Sequence, residues 1–296
     1  MKINTNQKLV DLHVHSNVSD GTLSPASVVK HASEVGVKVM ALTDHDTVDG
    51  IKEAQKAAEE YGILMIPGIE ISAAFRNRDI HILGYFIDTE LKAFNDLLKK
   101  AWEKREERNL KIAEKFKRFG IEVDLDAIIK ISGSSVITRA HFARWLVDNG
   151  ICRSNAEVFE KYLGNDGPCY VPRDYMTRKI AIEAILDAGG IPVLAHPMLY
   201  GLNSNEVDIL TGELKDMGLK GIETYYSSNM GMDEDIVRGL AYKHGLIMTG
   251  GSDYHGDNKP GLEIGTGRSD SLRVPMQAAI DLYKAAGRSL EGLKLI

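Results

Sequence analysis

Short apolar runs that end in histidine or a carboxylate, alternating with stretches of helical periodicity, constrain this chain more than any other feature. From residue 9 the pattern reads strand, helix, strand, helix, the signature of β/α units around a mainly parallel sheet. Residues 9–15 read as the first strand. Ser24 and Pro25 then supply an N-cap and a first-turn proline for a helix that ends at Gly36. A second strand, 37–43, leads into a helix over 47–61 that Gly62 stops. The apolar runs 63–71 and 80–87 are too close for a crossover helix, so they pair antiparallel or connect irregularly.

The rhythm breaks at residue 91. One long charged helix over 91–119 is followed by helical segments near 125–131, 139–148 and 155–162, and no comparable strand appears before 191. Such a run would interrupt a barrel's β/α order if it belonged to the ring. The expected division is a barrel built from 1–90 and 176–296, with 91–175 as a helical insertion. After it come helix 177–188, strand 191–196, helix 205–217, strand 221–226, helix 232–244, strand 246–251 and a last helix over 275–286. That makes seven strands, one short of the common eight-stranded barrel.

At 296 residues with 44% hydrophobic composition, the chain can bury a barrel-sized core. Its net charge of -6 gives no general attraction to nucleic acid or anionic membrane. Residues 1–8 are polar, with no apolar leader, and no run is long enough to span a bilayer, so the expected compartment is the cytoplasm. Two cysteines outside any CxxC pair exclude a disulfide framework and a thiolate metal site. The basic residues of 99–118, among them Lys99, Lys104, Arg105 and Arg108, interleave with Glu103, Glu106, Glu107 and Glu114. This reads as a solvated helix rather than a nucleic-acid surface, and no duplex partner is expected.

In α/β barrels the side chains at the C-terminal strand ends converge on one mouth. His13 and His15, spaced i, i+2, share one face of the first strand with Asp11 behind them. Asp20 follows in a Ser-Asp-Gly loop whose simplest reading is a turn. Thr43-Asp44-His45-Asp46 ends the second strand; Asp46 reads as the cap of the next helix and His45 as a ligand candidate. Glu70 sits in an apolar run where an unpaired carboxylate would be costly, so it needs a cation. His81, His196, Asp253 and His255 complete the set. Each alone has an ordinary structural explanation; together, at the ends of six segments, they point to a polynuclear site with N/O ligands suited to Mn, Fe, Zn or Mg.

A strand-end HxH, a Thr-Asp-His, a glutamate, isolated histidines and a final DxH, in this order, resemble the polymerase-and-histidinol-phosphatase (PHP) superfamily over the whole chain. The resemblance implies a distorted seven-stranded (β/α) barrel of α/β class and a metal-dependent phosphoesterase. It also implies that one ion lies on His13, His15, Glu70 and Asp253, a second on Glu70, His81 and His196, and a third on Asp20, His45 and His255. Two or three divalent ions are expected, manganese foremost.

Within the superfamily the stretches Thr138-Arg139-Ala140-His141-Phe142-Ala143, Lys161-Tyr162-Leu163-Gly164 and Tyr170-Val171-Pro172-Arg173 are most similar to the branch that hydrolyses 3′,5′-nucleoside bisphosphates and trims short RNA from its 5′ end. There the insertion caps the mouth, which makes Arg139, His141 and Arg173 substrate-binding candidates. Asp44 and His255 are the candidates for moving the leaving-group proton. Asn165-Asp166-Gly167 is more acidic than a phosphate-facing loop should be. A histidinol-phosphate phosphatase is the nearest alternative, and a non-catalytic interaction domain is the alternative of another class.

Overall fold

The computed structural model describes residues 9–76, 78–132, 137–164, 166–172 and 176–294. Its elements are β1 (Leu9–Val14), α1 (Pro25–Val35), β2 (Val37–Leu42), α2 (Ile51–Tyr61), β3 (Leu64–Phe75), β4 (Arg78–Tyr85), α3 (Lys92–Lys117), α4 (Leu125–Ser132), α5 (Arg139–Asp148), α6 (Asn155–Val158), α7 (Arg178–Asp187), β5 (Ile191–Leu194), α8 (Ser204–Asp216), β6 (Gly221–Tyr226), α9 (Asp233–His244), β7 (Ile247–Gly251), β8 (Leu262–Glu263), β9 (Gly267–Arg268), α10 (Met276–Ala285) and α11 (Glu291–Lys294). Strands β1 to β7 form one sheet in sequence order. Neighbours are parallel except at β3/β4 and β4/β5, the antiparallel pairs that β4 makes. A bridge between Val14 and Tyr254, with His15 N–H on Tyr254 O (2.9 Å) and Asp253 N–H on His13 O (2.8 Å), brings the last edge to the first. The result is a nearly closed seven-stranded barrel.

Local chemistry accounts for the joints. Ser24 caps α1 by accepting the Ser27 N–H, Pro25 opens the helix, and Gly36 ends it in the left-handed region at φ 95°. On β2 the alternation of the pleat splits the side chains between two cores. Val39 and Ala41 join Val10, Leu12, Leu83, Tyr85, Val193 and α10, whereas Met40 and Leu42 pack with α1 and α2. Among the described residues, no helix is long and apolar enough to cross a membrane.

Several expectations needed adjusting. Helix α2 begins at Ile51, not at 47, because the residues after His45 are tied to β3: Asp46 N–H bonds Glu70 O at 2.9 Å. The segment over 155–162 divides into α6 and a wide π-helical turn, Phe159–Leu163, closed by Gly164 N–H on Phe159 O. Residues after β7 add the small β8/β9 hairpin, which no apolar alternation announced. Helix α3 is not wholly solvated. Phe94, Leu98 and Ala101 pack into a core shared with Ile69, Ile82 and Ile182, while Ile112 and Phe116 pack with Phe142, Leu146 and Leu163. Arg105 and Arg108 are buried, Arg105 against Asp46 and Arg108 with its Nε on Val171 O at 2.9 Å.

Candidate metal centre

The strand ends converge on Glu70, which the parallel bridge between His45 and Glu70 fixes beside the β2 end. Its two oxygens face different imidazoles. Oε2 lies 3.2 Å from His13 Nε2, His15 Nε2 and His45 Nδ1. Oε1 lies 2.9 Å from His81 Nδ1 and 3.0 Å from His196 Nε2, and these two nitrogens are 3.3 Å apart. Asp253 adds Oδ1 at 3.6 Å from His13 Nε2 and 3.4 Å from His15 Nε2. A neighbouring group forms around Asp20, whose Oδ1 is 3.1 Å from His255 Nε2 and 3.6 Å from His15 Nδ1 and whose Oδ2 is 3.8 Å from His45 Nε2.

Among the described residues, three sets of donor atoms are compact enough to hold an ion: His13, His15, Glu70 and Asp253; His15, Asp20, His45 and His255; and His45, Glu70 and His81. His15 and His45 each belong to two sets, one ring nitrogen to each side. The donors are all imidazole and carboxylate, without thiolate. Glu70 Oε2, His45 Nδ1 and His196 Nδ1 are buried with no hydrogen-bond partner, a costly state that a cation would relieve for the carboxylate and for a lone pair facing it. The residues therefore fit divalent metal.

Protonation tells the same story. Burial acts to raise the Glu70 pKa, yet the charges of His45, His81 and His13 hold it well below the usual carboxylate range. Burial acts to lower His15, but Asp253 and Glu70 push it up to about 9. His13 also stands well above its ordinary value despite burial, through Glu223, Glu70 and Asp253. A metal ion bound among these rings would compete with protons for the same nitrogens.

The sequence matches the PHP domain over residues 11–252. The chain belongs to the PHP domain family. The 5'-3' exoribonuclease of Haemophilus influenzae is 37% identical over 248 residues, 84% of this chain and 90% of that protein. The 3',5'-nucleoside bisphosphate phosphatase of Chromobacterium violaceum is 34% identical over 257 residues, 86% of this chain and 90% of the relative. Among solved structures, a protein from Bifidobacterium adolescentis described as a metal-dependent phosphoesterase is 26% identical, with a TM-score of 0.79 over 96% of this chain and 98% of its own. This PHP protein is accordingly a metal-dependent phosphoesterase.

Around the PHP cluster, buried groups hold the donors in place. Glu223, on β6, puts Oε1 2.9 Å from His13 Nδ1 and accepts the His196 N–H on Oε2 at 2.7 Å. Sequence reading passed over Glu223. The signal was present, since a lone carboxylate inside the apolar strand Gly221–Tyr226 raises the same question as Glu70. Asp11, pushed up to about 6 by burial, accepts N–H bonds from Ser252 (2.8 Å), His13 (3.3 Å) and Gly265 (2.7 Å). Tyr226 Oη at 2.7 Å and Lys259 Nζ at 2.5 Å donate to Asp253 Oδ2, which leaves Oδ1 facing the imidazoles. His196 (φ 24°) and Asp253 (φ 58°) carry left-handed backbone strain. Gly251 lets β7 approach β1, because a Cβ there would meet His13 Cβ and N at 2.4 Å.

The other expected residues are placed as follows. Asp44 lies behind His15, its carboxylate accepting Ser16 N–H (2.7 Å), Ser16 Oγ (2.6 Å) and Ser19 Oγ (2.6 Å), which shapes the loop carrying Asp20. Asp46 does not cap α2, whose first residue it precedes by several positions. It pairs with buried Arg105 and accepts the Ser72 N–H at 2.8 Å. His141 accepts the Thr138 N–H on Nδ1 (3.2 Å), and its pKa is lowered by burial against the attraction of Asp20. Arg139 donates to Leu163 O at 3.1 Å, its guanidinium over the Phe159 and Tyr170 rings. Arg173 lies outside the described residues.

Proposed function

We propose that this enzyme removes the 3′-phosphate of 3′,5′-nucleoside bisphosphates such as pAp and also trims short 5′-phosphorylated RNA. One observation carries the substrate reading. The alignment with the bisphosphate phosphatase covers 86% of the chain, so it runs through the helices between β4 and β5 as well as the barrel. We take residues 91–175 as a cap over the mouth.

In this reading His13, His15, Glu70 and Asp253 would hold one ion, Glu70, His81 and His196 a second with His45 alongside, and Asp20, His45 and His255 a third with His15. Two or three divalent ions, manganese foremost, would when bound activate a water and neutralise charge on the phosphate oxygens. The chain does the positioning. Glu223 orients His13, while Tyr226 and Lys259 commit one oxygen of Asp253. His141, with Nδ1 engaged, offers an Nε2 proton to a phosphate oxygen beside Asp20 and His255. Arg139, held by Leu163 O and two rings, is the second phosphate contact, and Arg173 a third. The proton for the leaving ribose oxygen would come from a water at the His255 end of the site, with Asp44 fixing the loop beside it.

Phosphate release from pAp, AMP, histidinol phosphate and a 5′-phosphorylated dinucleotide, each with Mn, Zn, Fe(II) and Mg, tests the proposal. Fastest turnover is expected for pAp. A preference for histidinol phosphate overturns the substrate assignment; fewer than one tightly bound ion per chain overturns the catalytic reading.

A further inference from the structure

Beside the metal centre lies a cavity of about 460 Å³ that includes none of its candidate ligands. It runs between the loop that follows His45, the start of α2, and one face of α3, and its volume is in the range of small-ligand pockets. The inner wall is the buried pair Asp46 and Arg105. Asp46 is the residue after His45 and bonds Glu70 O and Ser72 N, so the wall is one residue thick on the metal side.

The outer lining carries three chemistries. Trp102 is a large indole left 41% exposed, on the same face of α3 as buried Leu98. Lys52 is bound to Glu90 at 2.9 Å, and Arg105 to Asp46. Lys99 and Asp49 also line the cavity, and among the described residues neither is in an ion pair. An aromatic face, an ammonium and a carboxylate match a base, a phosphate and ribose hydroxyls respectively.

We propose that this cavity is a second nucleotide site, taking one ribonucleoside phosphate unit with its base on Trp102, its phosphate at Lys99 and its ribose hydroxyls at Asp49. Its use for the next nucleotide of a short RNA, as opposed to a free nucleotide, rests on the reading under Proposed function.

The test uses Trp102→Ala and Lys99→Ala, two exposed residues of α3, neither of them a candidate metal ligand. In the first arm AMP is titrated into chelator-treated protein while tryptophan fluorescence is followed; the same titration in Trp102→Ala, which leaves Trp145 alone, gives the background to subtract. Saturable quenching that weakens about tenfold or more in Lys99→Ala supports the site, and its absence overturns it. In the second arm kcat/KM is compared for pAp and a 5′-phosphorylated dinucleotide. A fall of about tenfold or more for the dinucleotide in Trp102→Ala, the size of a lost base stack, with pAp unchanged, supports occupation by the second nucleotide. Quenching with equal dinucleotide rates supports a free-nucleotide site and overturns the RNA role. Quenching in a protein that hydrolyses neither substrate leaves the cavity assigned and defeats the proposed function alone.

Discussion

Glu223 Oε1 stands 2.9 Å from His13 Nδ1, and both side chains are fully buried. The contact fixes which ring nitrogen of His13 turns toward Glu70 and Asp253. Carboxylates in this position behind a metal-binding histidine typically affect affinity 10–100-fold, on the order of 1.4–2.7 kcal/mol. Glu223→Gln is expected to fold, because the amide is isosteric, and to bind Mn about tenfold or more weakly by calorimetry. Unchanged affinity would falsify the positioning role.

Arg105 compensates the buried carboxylate of Asp46. Removing one member of such a pair costs about 3–5 kcal/mol, whereas removing both costs less. In urea unfolding, Arg105→Met is expected to lose stability on that scale and Asp46→Asn/Arg105→Met to recover part of it. Equal losses in the single and double variants would show that the pair is not what holds α3 to the loop after His45.

Gly251→Ala places a methyl 2.4 Å from His13 Cβ. The two strands must part, costing about 1–3 kcal/mol as overpacking does. Because Asp253 and His13 are joined across the same seam, Mn content after dialysis is expected to drop with the melting temperature. Retention of full metal content by a destabilised variant would show that the seam tolerates the shift.

His31 on α1 and Glu263 on β8 are 2.7 Å apart, away from the donor cluster, with Glu34 and Tyr254 the other titratable groups nearby. The hydrogen bond to Glu263 raises the His31 pKa; burial opposes, but the His31 bond lowers that of Glu263. A raised histidine stabilises the fold fully below its unfolded value and loses that contribution as pH rises through its folded one. A lowered glutamate stabilises above its unfolded value and loses it as pH falls through its folded one. The pair therefore contributes most between about pH 4.5 and 6.5, and, being half exposed, less than about 1 kcal/mol. The melting-temperature gap between the wild type and His31→Ala is expected to be larger at pH 5.5 than at pH 8.5. A gap independent of pH would assign the effect to packing.

Much of the barrel was legible because each of its joints is local. Ser24, Pro25, Gly36 and Gly62 mark helix ends whatever the rest of the chain does, and the short spacing between the apolar runs of β3 and β4 left antiparallel pairing or an irregular connection, of which the structure shows the first. The donor set was legible for a related reason: imidazoles and carboxylates at strand ends are few, and a barrel sends them to one mouth. What stayed hidden depends on partners distant in sequence. Asp46 looks like a cap until Arg105, 59 residues on, arrives to bind it. Arg105 itself looked solvated among glutamates. Glu223 shows nothing of its role until β6 brings it under both His13 and His196. The division of donors into ions was also less separable than motif order suggested, since His15 and His45 each face two groups.

Helix α3 begins in one hydrophobic core and ends in another. A boundary drawn at its first residue would therefore cut through the barrel's own packing. An exchange of the proposed cap for another segment has its natural junction inside the helix, beyond Arg105, so that the graft inherits Phe94, Leu98 and Ala101 from the host. With Phe94, Leu98 and Ala101 held in the barrel-side core, the first turns of the helix belong to the barrel's packing as much as to the segment that follows.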